Sequence, residues 1–510
     1  MLAHVNTLVI TGIEARPVIV EVDIQSGLPN FEIVGLASTA IKEARERVRA
    51  AIKNSGFDFP NRKIIVNLSP ADMKKEGSHF DLAIAVGILL ASEQVINTVQ
   101  KKLFIAGELS LDGTVRKIPG ILPMALELEK VNSPDIRFVV PQDNSKEAGL
   151  VNEVISYPVK DLKEMCDYLN GTLKLPVIHA FNYEEKVFVD EHYDFADVKG
   201  QEIAKRALQI AAAGLHNILL IGPPGSGKTM LARRMPGIMP EMDREEILET
   251  TRIYSVANML NPEKPLISQR PIRAPHKNAS SASIIGGGRI PRPGEVSLAQ
   301  NGILFLDELP EFSRDVLEAL RQPLEDKIVT VARAHSTYTF PAKFSLVASM
   351  NPCPCGNYGS DKECICTPLQ ITRYLNRVSG PLLDRMDIHV EVGRINYEQI
   401  SDRREGESSA VMRERVKIAR EIQLKRFENS NIKVNSQMRP QEVKKYCRID
   451  EKAEQLLKNA FNHFNMSARA YDRILKIART IADLEQSPDI LLPHLAEALR
   501  YRTLDKKYWG

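Results

Sequence analysis

The chain has 510 residues, which is too long for one ordinary hydrophobic core and predicts about three domains. Its 68 basic and 65 acidic residues leave a net charge of +3, which excludes a globally basic nucleic-acid-binding protein and confines any such surface to a local patch. Residues 1–10 lack the features of a secretion signal, and the best apolar run, Leu82–Ala91, is too short to span a bilayer. We therefore expect a cytoplasmic protein with no membrane partner.

The N-terminal part of the chain mixes two kinds of periodicity. Val18–Ile24 and Lys63–Leu68 alternate apolar and polar residues as strands do, whereas Ser38–Ser55 and Asp81–Ser92 have helical spacing. This pattern predicts an α+β domain over residues 1–175. A polar, acid-rich stretch then predicts a linker over residues 176–197.

A phosphate-binding loop is predicted after the short apolar strand Asn217–Ile221. Its glycines let backbone N–H groups converge on phosphate oxygens, Lys228 supplies a positive charge, and Thr229 offers a hydroxyl to Mg²⁺. The helix Met230–Met235 completes the strand, loop and helix that such a loop requires. The residues predicted to bind ATP are Gly222, Pro223, Pro224, Gly225, Ser226, Gly227, Lys228, Thr229 and Met230.

Two carboxylates follow the apolar strand in the segment Gly302–Pro310. Ligands of open α/β sheets bind at the carboxyl ends of strands, so Asp307 is predicted to hold Mg²⁺ together with Thr229, and Glu308 to orient the attacking water. Alone, an apolar strand ending in Asp-Glu is equally consistent with a solvated turn. Its position after a phosphate loop favours the ATPase interpretation.

A third strand, Phe344–Met350, ends at Asn351. Its amide is placed to hydrogen-bond the γ-phosphate or the attacking water. The alternative is a turn-forming Asn before Pro352.

The order of the phosphate loop, Asp307-Glu308, Asn351, Arg385 after Leu383-Asp384, and Arg469 after Ser467-Ala468 resembles the AAA+ ATPases. The resemblance implies that Arg385 reaches the γ-phosphate of a neighbouring subunit and that Arg469 closes a lid over the nucleotide of its own chain. For either arginine alone, a surface ion pair is the alternative.

The implied fold is α/β. A P-loop ATPase core is expected over residues 198–392, and a C-terminal helical lid over residues 393–510, beginning with a charge-laced helix at Ser401–Phe427.

A narrower resemblance lies in the segment Arg273–Gly288, followed by Pro293-Gly294-Glu295. This segment resembles an insert of the magnesium-chelatase ATPase subunit, and nearly the whole chain is similar to the ComM/YifB family of magnesium-chelatase-like proteins. The resemblance implies a first insert that projects toward a central pore and a hairpin at Ile328–Phe340 before Asn351. It also implies a homo-hexameric ATPase, and the competence member of the family is a DNA helicase that drives branch migration.

Basic residues on the two inserts are compatible with a DNA-binding pore. A ring of six copies would multiply their charge into a phosphate-binding annulus, although solvated surface cations are the alternative. The predicted pore residues are Lys277, Arg289, Arg292, Arg333 and His335.

The N-terminal domain resembles the Lon protease domain. Lys75-Glu76-Gly77 matches the approach to the Lon nucleophile, but His79 stands at the expected serine position and Leu122 at the expected lysine position. Shifting the alignment by one residue recruits Ser78, which then lacks a lysine partner. A serine hydroxyl without a base is a poor nucleophile, so we expect a non-proteolytic scaffold or DNA-contacting platform.

Four of the six cysteines form two Cys-x-Cys pairs close together in the chain. Four thiolates on one loop are typical of a structural Zn²⁺ site, while free thiols or reversible disulfides are the alternatives. The predicted ligands are Cys353, Cys355, Cys364 and Cys366, and the isolated Cys166 and Cys447 are expected in the core.

Three functional classes share this ATPase core. The sequence favours a ring motor that uses ATP and Mg²⁺ to act on single-stranded or branched DNA. A magnesium-chelatase motor would need a porphyrin-handling partner and no Lon-like domain, so no porphyrin is expected. A protein-remodelling motor would be favoured by aromatic pore residues, for which Tyr254 and Tyr338 are the candidates.

Overall fold

The computed structural model of the protein describes residues 1–36, 39–180, 193–288, 291–333, 336–359, 361–396, 401, 406–464, 466–502, 504 and 508. Two larger β-sheets organise these residues, one in the N-terminal part and one in the centre of the chain. The C-terminal part is helical.

The N-terminal sheet has seven strands and mixes parallel and antiparallel pairs. The first two strands form a long antiparallel hairpin in which Leu2 pairs with Asp23 and Thr11 with Glu14. In spatial order the strands are Asn30–Val34, Lys63–Ser69, Glu14–Gln25, Leu2–Thr11, Lys102–Ile105, Ile136–Pro141 and Ser156–Val159.

Helix Asp81–Ala91 packs against this hairpin, and all its residues except Leu90 are buried. Its uninterrupted apolar sequence therefore marks the centre of the N-terminal core, which confirms the predicted mixed α and β domain. The other N-terminal helices are Thr39–Asn54, Ile121–Val131, Ser145–Ala148 and Leu162–Leu169.

The central sheet has five strands, and all its strand pairs are parallel. Its middle strands are buried along their whole length because helices cover the sheet, as parallel sheets require. In spatial order the strands are Ile272–Arg273, Ile303–Leu306, Ser345–Met350, Ile218–Ile221 and Ile388–Glu391.

The helices around this sheet are mostly short. A two-stranded hairpin, Ile328–Arg333 with Ser336–Pro341, precedes strand Ser345–Met350, as the family resemblance implies. The helices of the core are Glu202–Gly214, Lys228–Arg234, Arg244–Val256, Ser281–Ile285, Glu295–Leu298, Arg314–Ala319, Arg321–Asp326, Pro368–Leu375 and Gly380–Leu383.

The core begins earlier than residue 198. Phe195 is fully buried in the hydrophobic core of the ATPase region, and its backbone N–H donates to Ser409 Oγ at 2.8 Å. The predicted linker end at residue 197 is therefore wrong, because an aromatic side chain inside the acid-rich stretch anchors the chain to the core. Residues 181–192 of that linker lie outside the described residues.

The C-terminal helices are Ser409–Arg426, Pro440–Tyr446, Glu451–Phe464, Ala468–Leu484 and Leu492–Arg500. The first and fourth of these pack on the core helix Glu202–Gly214 and share one hydrophobic core with it. Among the described residues, no helix combines the length and apolarity needed to cross a membrane.

Candidate nucleotide-binding site

The phosphate loop joins strand Ile218–Ile221 to helix Lys228–Arg234. Gly225 and Gly227 have φ angles of +77° and +87°, a left-handed backbone that a residue with a Cβ atom rarely adopts. Gly222 lies close to the end of the neighbouring strand Ile388–Glu391, and a Cβ atom on it would meet Val392 O at 2.1 Å. The glycine positions of the motif are therefore required by the backbone itself.

Lys228 lies inside this loop, with 8% of the residue exposed. Its Nζ donates to Gly222 O at 2.7 Å, Pro223 O at 2.9 Å and Asn351 Oδ1 at 3.2 Å. Burial lowers the pKa of Lys228 to about 8, against the nearby carboxylates that raise it. Ser226 Oγ is buried here without a hydrogen-bond partner among the described residues, which fits a loop built to bind phosphate oxygens.

Two side chains form the predicted Mg²⁺ site. Thr229 Oγ1 donates to Asp307 Oδ2 at 2.7 Å, and Ser349 Oγ donates to the other carboxylate oxygen of Asp307. Hydroxyl and carboxylate oxygens are ligands that Mg²⁺ prefers, so Thr229 and Asp307 would hold the ion that accompanies ATP. A bound Mg²⁺ would supply charge stabilisation to the phosphates.

Glu308 has a left-handed backbone, with a φ angle of +54°, and its N–H donates to Asp307 Oδ1 at 3.1 Å. A non-glycine residue in this conformation is typical of functional sites. The carboxylate is half-exposed and faces a cavity of about 330 Å³. This cavity is lined by Thr229, Arg233, Ala274, Pro275, His276, Lys277, Phe305, Asp307 and Glu308.

The structure places the predicted pore residue Lys277 beside Glu308, and its facing a pore stays a prediction. Its Nζ lies 2.6 Å from Glu308 Oε2, and this hydrogen bond raises the pKa of Lys277. The insert folds back over the carboxyl end of the sheet, so Lys277 lines the nucleotide cavity rather than standing apart from it. Sequence reasoning could not place it because the contact joins residues from two separate segments.

Arg385 lies at the opposite end of the sheet from the phosphate loop of its own chain. It belongs to the turn before strand Ile388–Glu391, where Asp387 N–H donates to Asn217 O at 2.9 Å, and Asn217 precedes the strand that leads to the loop. About 16 Å therefore separates this turn from Gly222, at the usual rise per strand residue. The guanidinium of Arg385 hydrogen-bonds Glu325.

Arg469 lies at the amino end of the sheet, near the Glu325 carboxylate that Arg385 hydrogen-bonds, and not over the phosphate loop of its own chain as the resemblance implied. Hydrogen bonding and charge from Arg385, followed by the charge of Arg469, lower the pKa of Glu325. One turn further along the same helix, Arg473 Nε lies 3.3 Å from Asp387 Oδ1. The cause is the packing of the C-terminal helices on helix Glu202–Gly214, which holds Ala468–Leu484 at the amino end of the sheet.

Three family models match the chain over most of its length. The model "Magnesium chelatase, subunit ChlI" matches residues 194–400, "Subunit ChlI of Mg-chelatase" matches residues 20–144, and "Magnesium chelatase, subunit ChlI C-terminal" matches residues 406–502. The chain is also 45% identical over 510 residues to "Competence protein ComM" of Haemophilus influenzae, covering 99% of this chain and 98% of that protein. The chain belongs to the ComM/YifB family of magnesium-chelatase-like proteins.

Other members of the ComM/YifB family match at similar length. The protein YifB of Escherichia coli is 44% identical over 510 residues, covering 99% of this chain and 98% of its own length. A magnesium-chelatase 67 kDa subunit of Heliobacterium mobile is 24% identical over 228 residues, 39% of this chain and 31% of that subunit. The family models relate this chain to magnesium-chelatase subunits, and its AAA+ type core indicates an ATPase.

The four clustered cysteines of this ComM/YifB chain converge on one point directly after Asn351. Their sulfur atoms all lie within 4.8 Å of one another, and the shortest Sγ–Sγ distances are 3.3, 3.6 and 3.7 Å. The loop also contacts the phosphate loop, because a Cβ atom on Gly356 would meet Pro224 Cδ at 2.3 Å. Cys166 and Cys447 are buried in the core as predicted.

The remaining pore candidates are only partly described. Arg292 is exposed in a short strand that pairs with Gly286–Gly287, and Arg333 ends the first strand of the hairpin. Arg289 and His335 lie outside the described residues. That these four residues face a pore stays a prediction.

Sequence reasoning missed two polar residues in the apolar strands of the core. Ser349 holds the carboxylate of Asp307, and Asn217 lies where strand Ile218–Ile221 begins. A polar residue inside or next to a fully buried strand must find a hydrogen-bond partner, and that signal could have identified both.

Proposed function

We propose that this protein is an ATP-driven ring motor that acts on DNA. The observation that carries the proposal is the placement of the predicted site residues. Lys228, Thr229, Asp307 and Asn351 converge at one end of the sheet, while Arg385 lies at the other. Arginines that stabilise the transition state of phosphoryl transfer must approach the γ-phosphate. A second copy, in a closed homo-hexameric ring, supplies Arg385 and Arg469 to the pocket.

DNA is the proposed polymer, and branch migration in recombination or natural transformation the proposed task. Arg292 is exposed on the insert, and six copies would concentrate its charge around the pore. The full-length relative named a competence protein supports this choice. Tyr254 is buried and its hydroxyl donates to Leu298 O at 2.9 Å, so it does not offer an aromatic grip for a polypeptide.

The N-terminal domain is proposed to be Lon-like and non-proteolytic, a scaffold or DNA-contacting platform in a cytoplasmic protein. Ser78 Oγ hydrogen-bonds Glu108, and Leu122 is fully buried at the position where a lysine partner would be needed. Within the described residues, no hydrogen bond joins Ser78 to Lys75. The lysine that would activate the hydroxyl in a Lon-type pair is therefore absent from this arrangement.

We propose Zn²⁺ as the ion of the cysteine cluster. Tetrahedral Zn–S bonds of about 2.3 Å place sulfur atoms roughly 3.8 Å apart, close to the observed separations. Four thiolates complete the coordination sphere, so the role is structural. The ion would hold the loop after Asn351 in place beside the phosphate loop.

The test is steady-state ATP hydrolysis with and without single-stranded DNA, a branched junction or an unfolded polypeptide, at graded salt. We expect stimulation by DNA that declines steeply with salt, because phosphate contacts release counterions. The variant Glu308→Gln serves as the control, since it should bind ATP and DNA without turnover. Stimulation by the polypeptide alone would contradict the proposal and favour protein remodelling. Stimulation only with a porphyrin and a partner subunit would favour a chelatase.

A further inference from the structure

Asn217 lies at the point where three strands of the central sheet begin. It directly precedes strand Ile218–Ile221, between strands Ser345–Met350 and Ile388–Glu391. The residue is 7% exposed. This end of the sheet faces away from the phosphate loop and adjoins the turn that carries Arg385.

Every polar group of Asn217 has a partner in the neighbouring segments. Its Oδ1 accepts from Leu346 N–H at 2.9 Å, and its Nδ2 donates to Arg385 O at 2.8 Å. Its own N–H donates to Asp387 Oδ2 at 3.1 Å, and its carbonyl accepts from Asp387 N–H at 2.9 Å. The side chain thus joins the strand that leads to Asn351 with the backbone of the turn.

Asparagine suits this position because it offers an acceptor and a donor at the end of one short side chain. Aspartate would keep the acceptor for Leu346 but would lose the donor for Arg385 O and add a negative charge beside Asp387. Serine is too short to make both contacts. The buried position makes each lost hydrogen bond costly.

Asp387 reinforces the same turn from the other side. Its carboxylate lies 3.5 Å from His216 Nδ1 and 3.3 Å from Arg473 Nε. Burial opposes its ionisation, but hydrogen bonding from His216 and the charges of His216 and Arg473 hold the pKa of Asp387 below its usual range. The turn is therefore fixed on both sides of Met386.

The guanidinium of Arg385 is oriented by its own contacts. Its Nη1 donates to Pro381 O at 2.6 Å, and its Nη2 hydrogen-bonds Glu325. Its Nε is buried without a hydrogen-bond partner within the described part of the chain. These contacts hold the guanidinium, and Asn217 holds the backbone carbonyl. A shift of that carbonyl would therefore change the direction in which the Arg385 side chain points.

We propose that Asn217 is a positioning residue for ATP hydrolysis in the neighbouring subunit, acting through the backbone of Arg385. This inference rests on the proposed function, in which Arg385 serves the pocket of a second copy. Misplacing a group by about 1 Å can cost up to about 100-fold in rate, so a loosened turn has a measurable effect. The effect appears in the neighbour's pocket, because the phosphate loop of the same chain lies at the other end of the strand.

The experiment uses mixed rings of two full-length variants. Donor subunits carry Lys228→Ala and cannot hydrolyse ATP but offer Arg385, whereas acceptor subunits carry Arg385→Ala and keep an intact pocket. Hydrolysis in the mixture therefore occurs only where a donor's arginine meets an acceptor's pocket. The substitution Asn217→Ser is then placed in the donor, in the acceptor, or in neither, and ring assembly is checked by native mass spectrometry.

We expect Asn217→Ser in the donor to lower kcat of the mixture about tenfold, with KM for ATP unchanged, and the same substitution in the acceptor to change kcat by less than about twofold. The control is Asn144→Ser in the donor. Asn144 is likewise buried and exchanges two hydrogen bonds of 3.0 Å with the Ile118 backbone, but it lies in the N-terminal domain.

Equal losses from the donor and acceptor placements, or no loss from either, would overturn the role of Asn217. A mixture without any Asn217 substitution that recovers no hydrolysis would instead overturn the shared pocket of the proposed function. The two failures are therefore distinguishable.

Discussion

The N-terminal domain and the ATPase core each contain a buried lysine, and the two lysines have different surroundings. Burial lowers the pKa of both Lys75 and Lys228. In the core, Lys228 Nζ lies 3.2 Å from Asn351 Oδ1, at an end of the sheet where a cavity opens. In the N-terminal domain, Lys75 Nζ donates to the carbonyl of Pro70.

The comparison shows that a buried charge by itself does not make a catalytic site. The site of the core draws its polar residues from the ends of three parallel strands, which meet at one edge of the sheet. In the N-terminal domain the nearby polar residues pair with each other, as Ser78 does with Glu108 and Arg47 with Asp81. Each of these two pairs joins residues of the N-terminal domain to each other.

Replacing Arg385 gives the largest expected effect. Arg385→Ala should lower kcat for ATP hydrolysis about 10³-fold with little change in ATP affinity, since an arginine finger acts mainly in the transition state. The control is Arg47→Ala, because Arg47 also pairs with a carboxylate but lies in the N-terminal domain. Steady-state kinetics and nucleotide titration measure both. A similar loss of kcat in the two variants would contradict the different roles assigned to the N-terminal domain and the ATPase core.

Replacing each buried lysine tests the comparison directly. Lys228→Met should lower ATP hydrolysis on the order of 10²–10³-fold, because the outer phosphates lose their positive charge. Lys75→Met should leave kcat of the folded protein within about twofold, because Lys75 faces no phosphate. Hydrolysis rates and thermal unfolding of both variants provide the measurement, and a catalytic defect in Lys75→Met without loss of folding would contradict the account.

The pH dependence of ATP binding should follow Lys228. Its pKa in the free protein is lowered to about 8, and bound phosphates favour the charged ammonium. Affinity should therefore be full below this pH and fall as pH rises through it, by about tenfold between pH 7 and pH 9. Titration calorimetry at several pH values measures the change. The same profile should persist in Lys75→Met, and a flat profile in the unmodified protein would be inconsistent with a half-neutral Lys228.

Removing the metal from the cysteine cluster should have the smallest effect. Cys364→Ser should eliminate about one bound Zn²⁺ per chain and weaken ATP binding about threefold, because the loop packs on Pro224 rather than on the phosphates. Cys166→Ser is the control, since Cys166 is buried far from the loop in the N-terminal core. Elemental analysis and nucleotide titration follow the two effects. Equal zinc content in both variants would show that the cluster is not the site.

Local patterns predicted much of the core correctly. The phosphate loop, the strand before Asp307 and the strand before Asn351 are determined by residues adjacent in the chain, and the structure has all three. The first helix of the C-terminal part was predicted from residue 401, but it begins at Ser409. The side chain of Ser408 accepts from Val411 N–H, a capping signal that the charge pattern obscured.

Local sequence patterns could not predict which residues of separate segments lie close together. The pairing of Lys277 with Glu308 depends on how separate segments pack. So does the position of Arg469 near Glu325, and motif order alone placed Arg469 over the nucleotide of its own chain. The parallel pairing of strands Ile218–Ile221 and Ile388–Glu391, which puts Arg385 and Lys228 at opposite ends of the sheet, likewise needs the structure. The proposed shared pocket rests on that separation.

The most direct test is the specific rate of ATP hydrolysis as a function of protein concentration, with the mass of the species in solution measured in parallel. Hydrolysis should rise steeply as monomers assemble, because in the proposed ring each pocket takes Arg385 from another copy. A monomer that hydrolyses saturating ATP at the full rate would contradict the account.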